Sequence, residues 1–170
     1  MIGRVRALLR KKASVAELVN LNDLIQNVAA LVHGEVAQHR ILLRTELAPD
    51  LMPVMGDQVQ LQQVLLNLVL NGIEAMKDVA ERPRELAIRS WREEAGVLVA
   101  VQDAGVGLDP QNVERMFEAF YTTKAAGMGM GLAICRSIIE AHGGRLWASA
   151  NEPRGAVFHF SLPVDRDGPL

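Results

Sequence analysis

Two asparagines one helical turn apart, Asn67 and Asn71, interrupt a mostly apolar run, "QLQQVLLNLVLNGIEAM". On a helical wheel Leu61, Val64, Leu65, Leu68, Val69, Ile73 and Met76 cover most of the circumference. They squeeze Gln60, Gln63, Asn67, Asn71 and Glu74 into a narrow polar wedge. A helix exposed on that side would carry a broad band of Lys, Glu and Arg. Asparagine costs about 0.5–0.7 kcal/mol against alanine inside a helix, and a buried carboxamide needs polar partners. An oxygen-lined wedge of this kind suits a hard cation such as Mg²⁺, which shares its shell with waters and substrate phosphates. Two asparagines bonded to a neighbouring loop would satisfy the same pattern.

Two glycine clusters lie further on. In "VLVAVQDAGVGL" an apolar strand stops at Asp103 and is followed by Gly105 and Gly107. A carboxylate there can accept from the exocyclic amine of adenine, which the six-position carbonyl of guanine cannot offer. A turn aspartate bonding its own backbone is the plainer alternative. In "TTKAAGMGMGLAICRSII" Gly127, Gly129 and Gly131 alternate just before a helical pattern, behind Lys124. Helix N-termini bind phosphate through free N–H groups, and glycines let the anion approach. The dinucleotide fingerprint is excluded, because no strand precedes these glycines and "LWAS", about twenty positions on, has no acid. No Gly-Lys-Ser/Thr follows either, so this is not a Walker loop. Adenine acceptor, metal-phosphate wedge and phosphate lid, in that order, together describe a Mg·ATP site.

These pieces need a scaffold. The chain has 170 residues, 49% hydrophobic and 22% charged, with a net charge of −2. That suits one soluble domain and gives no electrostatic case for nucleic acid. The single cysteine, Cys135, rules out a disulfide framework and shares a helical stripe with Leu132 and Ile139, so a buried thiol is expected. No apolar run is long enough to cross a bilayer, so no membrane insertion is expected of this segment and a cytoplasmic location is the default. "MIGRVRALLRKK" is basic and amphipathic; it reads as the tail of a helix packed on something upstream, or as a membrane or targeting helix.

The spacing predicts a helix over 20–40 capped by Asn22 or Asp23, with Leu24, Val28, Leu31 and Val32 on its apolar face. It predicts a strand at 41–47, a short extended piece, and a long helix opened by Asp57 and reaching about Val79. "LAIRSWR" and "VLVAVQ" form a hairpin, a short helix falls near 110–116, and a glycine-led helix spans about 129–142. "RLWASA" and "AVFHFSLP" close the chain as a second hairpin. The result is an α+β two-layer sandwich, with antiparallel strand pairs covered on one face by three helices.

With these motifs in order, the chain resembles the catalytic ATP-binding domain of sensor histidine kinases, in the superfamily of Hsp90, DNA gyrase B and MutL. "NLVLNGIEAM" resembles the N box, "DAGVGL" the G1 box, "MFEAFYTTK" the F box and "GMGMGL" the G2 box. The resemblance implies the Bergerat-type ATP-binding fold, a two-layer open α/β sandwich with a mixed, mainly antiparallel sheet covered on one face by three helices. It assigns Asn71 to Mg²⁺, Asn67 to the phosphate side of the wedge, and Asp103 to the adenine amine above Gly105 and Gly107. It places Thr123, Lys124, Gly127, Gly129, Gly131 and Leu132 around the ATP lid, with Asn67 and Lys124 as the catalytic pair. Glu74 stands where many members carry lysine. Relatives that hydrolyse ATP as conformational modules usually have glutamate four residues before the metal asparagine; here that residue is Asn67, which argues against the Hsp90 or MutL type of activity.

The resemblance also implies partners: a histidine-bearing dimerisation domain of the same kinase and a downstream response regulator. None of His33, His39, His142 or His159 lies in a phosphoacceptor context, and an exposed side chain is expected for His159 on its alternating strand. Residues 1–19 then read as the end of the histidine hairpin and a linker, 20–163 as the ATP-binding domain and 164–170 as a tail.

Overall fold

A computed structural model describes residues 16–108, 111, 113–118, 131–152 and 154–164. The chain runs β1 (Glu17–Val19), α1 (Leu21–Leu31), α2 (His33–Gln38), β2 (Leu42–Glu46), β3 (Val54–Gly56) and α3 (Gln58–Met76). Then come β4 (Glu85–Glu93), β5 (Gly96–Asp103), a single 3₁₀ turn (Arg115–Phe117), α4 (Gly131–Ala141), β6 (Arg145–Ala150) and β7 (Ala156–Pro163).

The main sheet has the order β2-β4-β5-β7-β6. Its β4–β5, β5–β7 and β7–β6 pairs are antiparallel and β2–β4 is parallel. The alternation in β7 explains its placement: Ala156, Phe158, Phe160 and Leu162 are buried while Val157, His159 and Ser161 are half-buried on the other face. The inward faces meet α1, α3 and α4, and the core runs between the layers through Leu24, Leu65, Leu68, Val99, Ile139 and Phe160. This is the two-layer sandwich expected, with its mixed, mainly antiparallel sheet.

The long helix starts where the sequence places it. The Asp57 side chain accepts from the Gln60 N–H at 3.1 Å, satisfying one of the orphan donors of the first turn. His142, just past the end of α4, locks the same corner. Its Nδ1 meets the Ile138 carbonyl at 2.7 Å and its Nε2 accepts from the Asp57 N–H at 3.0 Å. The Ile138 contact makes Nδ1 the protonated nitrogen and leaves Nε2 as the acceptor. The imidazole thus joins the far end of α4 to the start of α3.

Several expectations are corrected. The helix expected over 20–40 is two, broken at Val32 (φ −95°, ψ 6°), and Leu31 is 60% exposed rather than on the buried face. The cap is Asn20, whose side chain accepts from the Asp23 N–H at 3.2 Å. Asn22 instead donates to the Ala48 carbonyl at 2.7 Å and accepts from the Ser90 hydroxyl at 2.8 Å, tying α1 to the sheet. The long helix ends at Met76. β1 pairs antiparallel with β3, so Glu17–Val19, placed by sequence in a linker, belongs to the folded unit. His159 is half-buried rather than exposed: it stacks on Trp147 with ring centroids 5.1 Å apart and bonds the Ser149 hydroxyl at 3.0 Å. Burial pushes its pKa below the ordinary histidine value, which favours the neutral ring. The basic segment 1–12 lies outside the described residues.

Candidate nucleotide site

β5 delivers Asp103 to the open end of the sheet. Its side chain is on the helix-facing side, paired in register with Leu86, and the residue is only 3% exposed. Oδ1 accepts from the Gly105 N–H at 2.9 Å and from the Ala156 N–H at 3.2 Å. The first of these bonds is the turn-aspartate interaction that sequence offered as the plainer reading. It fixes the carboxylate rotamer, and a carboxylate has about four acceptor sites in all. Oδ2 faces α3 at Gly72, where an added Cβ would lie 3.8 Å away. A Cβ there would also come within 2.8 Å of Leu86 Cδ1, so a larger residue would require that side chain to shift.

The glycines of "DAGVGL" have separate reasons. A Cβ on Gly105 would come 2.5 Å from the Ala75 carbonyl oxygen, because the turn presses on the last turns of α3. The neighbouring Val106 N–H donates to that carbonyl at 3.3 Å. Gly107 has φ +92°, a conformation that side chains disfavour. Strand end, turn and helix are thereby packed closely around Asp103.

The wedge of α3 carries two different asparagines. Asn67 is half-buried and donates from Nδ2 to Cys135 Sγ at 3.6 Å, joining α3 to α4. Cys135 is fully buried, as expected, and burial pushes its thiol up to about 11, so it stays protonated and unreactive at neutral pH. Asn71 is half-buried, and its carboxamide has no hydrogen-bond partner among the described residues. Glu74, one turn on, is paired with Lys77 at 2.8 Å. No group of three or more His, Cys, Asp or Glu that could hold a metal occurs among the described residues. The Asn71 carboxamide oxygen is a hard donor, of the kind that fits Mg²⁺ shared with phosphates and water.

Of the lid residues, Gly131 opens α4 with open space around it, and Leu132 is half-buried against the core. Thr123, Lys124, Gly127 and Gly129 lie outside the described residues. Asp103 and Gly105 are thus brought against α3, the helix that carries Asn67 and Asn71, and Gly107 follows in the same turn. Sequence reasoning passed over Gly155, Arg82 and Asn151. Gly155 has φ +113°, and a Cβ on it would overlap the Asp103 carbonyl oxygen. In the sequence it looks like any hairpin glycine. Arg82 and Asn151 also touch the Asp103 turn, from the breaker "AERPRE" and the hairpin tip "NEPRG".

Residues 56–166 match the family model described as histidine kinase-, DNA gyrase B-, and HSP90-like ATPase. The chain belongs to this family. Within the histidine kinase-, DNA gyrase B- and HSP90-like ATPases its relatives include sensor histidine kinases. It is 40% identical over 165 residues to the sensor protein FixL of Bradyrhizobium diazoefficiens, covering 96% of this chain and 32% of FixL. It is 36% identical over 166 residues to the sensor histidine kinase TmoS of Ectopseudomonas mendocina, covering 96% of this chain and 17% of TmoS. The chain therefore spans about a third or less of these curated relatives. Among solved structures, the nucleotide-free catalytic domain of histidine kinase ThkA superposes with a TM-score of 0.79 at 35% identity. That match covers 88% of this chain and 95% of the ThkA domain. ThkA in complex with the response regulator protein TrrA matches with a TM-score of 0.76 at 29% identity, covering 99% of this chain and 49% of that one. The chain is an ATP-binding domain of the sensor histidine kinase type, on the open α/β fold of those catalytic domains. No helix among the described residues is long and apolar enough to cross a membrane.

Proposed function

We propose that this domain binds Mg·ATP and donates the γ-phosphoryl group to a histidine carried by a separate dimerisation segment of the same kinase, for relay to a response regulator in the cytoplasm. The observation that carries the reading is Asp103: a buried carboxylate at a strand end, aimed at α3 and held by two backbone N–H groups. Such a group is placed to accept from the adenine amine. Asn71 would hold Mg²⁺ beside the phosphates, and the ion would neutralise charge developing on the β- and γ-oxygens. Lys124, with Thr123 and the backbone amides of Gly127, Gly129 and Gly131, would close over the triphosphate, and Leu132 would seat the start of α4.

In the transfer the external imidazole nitrogen bonds to the γ-phosphorus while the bond to the β–γ bridging oxygen breaks, leaving ADP. This chain orients the triphosphate for in-line attack. It offers no base for water at the N-box position: the Asn67 carboxamide cannot accept a proton at neutral pH, and its Nδ2 is engaged by Cys135. Hydrolysis is therefore disfavoured against transfer, and the similarity to kinases supports the same choice.

The test uses γ-labelled ATP with the chain alone and with the histidine hairpin of the same kinase. Acid-labile label on the hairpin histidine, and none on the isolated chain, is expected. Label appearing on the isolated chain would refute the division of labour.

A further inference from the structure

Three consecutive carbonyls, those of Asp103, Ala104 and Gly105, each accept a hydrogen bond from a side chain of a distant element. Arg82, in the link between α3 and β4, donates from Nε to the Ala104 carbonyl at 3.2 Å and from Nη2 to the Gly105 carbonyl at 2.7 Å. Its remaining nitrogen, Nη1, pairs with Glu81 at 2.6 Å. Asn151, at the tip of the β6–β7 hairpin, donates from Nδ2 to the Asp103 carbonyl at 2.8 Å. Asn151 Oδ1 accepts from Gln102 at 2.9 Å, which fixes the orientation of the carboxamide.

Both side chains work from behind the site. Arg82 and Asn151 line a cleft with Ala87 and Gln102, a register pair on the face of the sheet turned away from the helices. The Asp103 side chain points the other way, toward α3. Arg82 Nε and Nη2 and Asn151 Nδ2 all donate to the turn. The Arg82 side chain is only 20% exposed, so its bonds are largely shielded from competing water. A planar guanidinium meets two neighbouring carbonyls at once, a geometry that an ammonium does not reproduce.

We propose that Arg82 and Asn151 are positioning residues that set nucleotide affinity and adenine selectivity by holding the Asp103–Gly105 turn. The proposal rests on Asp103 being the adenine acceptor. Without the rear clamp the turn samples other conformations, and the carboxylate meets adenine in only a fraction of them. Apparent affinity falls by that fraction.

The experiment is calorimetric titration of Arg82→Ala, Arg82→Lys, Asn151→Ala and Asp103→Asn with Mg·ATP and Mg·GTP, well below each variant's melting temperature. Arg82→Ala is expected to weaken ATP about ten-fold and Asn151→Ala about three- to ten-fold, both with a reduced ATP-to-GTP ratio. Arg82→Lys should recover only part of the loss. In phosphotransfer to the hairpin, KM should rise while kcat is largely kept. If Arg82→Ala fails to fold, Arg82→Lys and Asn151→Ala carry the test. Wild-type affinity and selectivity in the clamp variants, with binding lost in Asp103→Asn, would overturn the clamp and leave Asp103 standing. An affinity loss that disappears once only folded protein is counted would overturn it too. Wild-type binding by Asp103→Asn would remove the adenine assignment itself, and the clamp with it.

Discussion

Asp103→Asn is expected to lose at least about a hundred-fold in ATP affinity, roughly 3 kcal/mol, while the protein stays folded. Asparagine preserves volume and keeps an acceptor oxygen for the Gly105 and Ala156 N–H groups that now bond Oδ1. The other side-chain atom becomes an NH₂ donor on the side that faces α3. An adenine amine arriving there meets a donor instead of an acceptor, and a buried mismatch of that kind costs the full desolvation of both groups. Guanine, with a carbonyl at the same ring position, is penalised less, so the ATP-to-GTP ratio should collapse or invert. Asp103→Ala is a blunter test. It strands two backbone donors beside a residue that is 3% exposed, at a cost of about 1–3 kcal/mol each in stability. Calorimetry with both nucleotides, alongside a melting curve, separates the two variants. A normal affinity in Asp103→Asn would show that the adenine is read elsewhere.

The second large effect concerns glycines, and it depends on position. Gly155→Ala is expected to cost about 3 kcal/mol or more, or to prevent folding, because two penalties coincide. The residue has φ +113°, and the new Cβ would overlap the Asp103 carbonyl oxygen, which is backbone and cannot swing aside. Relief requires moving the hairpin tip, which also carries the Asn151 bond to the same carbonyl. ATP binding should fall with stability in this variant. The same substitution at Gly34 is expected to do the opposite. Gly34 lies in α2 with nothing within 4 Å of the added methyl, so alanine should stabilise by about 0.5–1 kcal/mol. Urea denaturation of the pair checks the claim. Equal effects at the two sites would mean that the packing of the hairpin against the Asp103 turn is misassigned.

Local patterns carried much of this fold. The apolar run of β5, the alternation in β7, the Asp57 cap and the glycine-led start of α4 are each written in neighbouring residues, and each forms near its expected place. The break at Val32 was not legible, because apolar spacing continues through it and only the tertiary contacts decide where the helix stops. Asn22 was misread as a cap since nothing local reveals that its partners are Ala48 and Ser90. β1 is three residues long and gains its strand character only from pairing with β3.

The site divides the same way. Asn71, Asp103 and the glycines after it announce themselves by residue type, because asparagine in a buried helix and glycine after a strand are costly without a reason. Arg82 and Asn151 do not. They bond to backbone carbonyls that any sequence would present, 22 or 23 and 48 positions away. An arginine in a polar link and an asparagine in a turn look ordinary until the chain is folded. The same holds for Gly155, whose φ fits any tight turn but whose close approach to Asp103 is a fact of three dimensions.

The most direct test of the account is a crystal structure of the chain with Mg²⁺ and a non-hydrolysable ATP analogue. The adenine amine should lie within hydrogen-bond distance of the Asp103 carboxylate, with the metal on the Asn71 carboxamide oxygen and the triphosphate running toward the start of α4. Nucleotide bound on the opposite face of the sheet, or in the cleft with adenine away from Asp103, would contradict it.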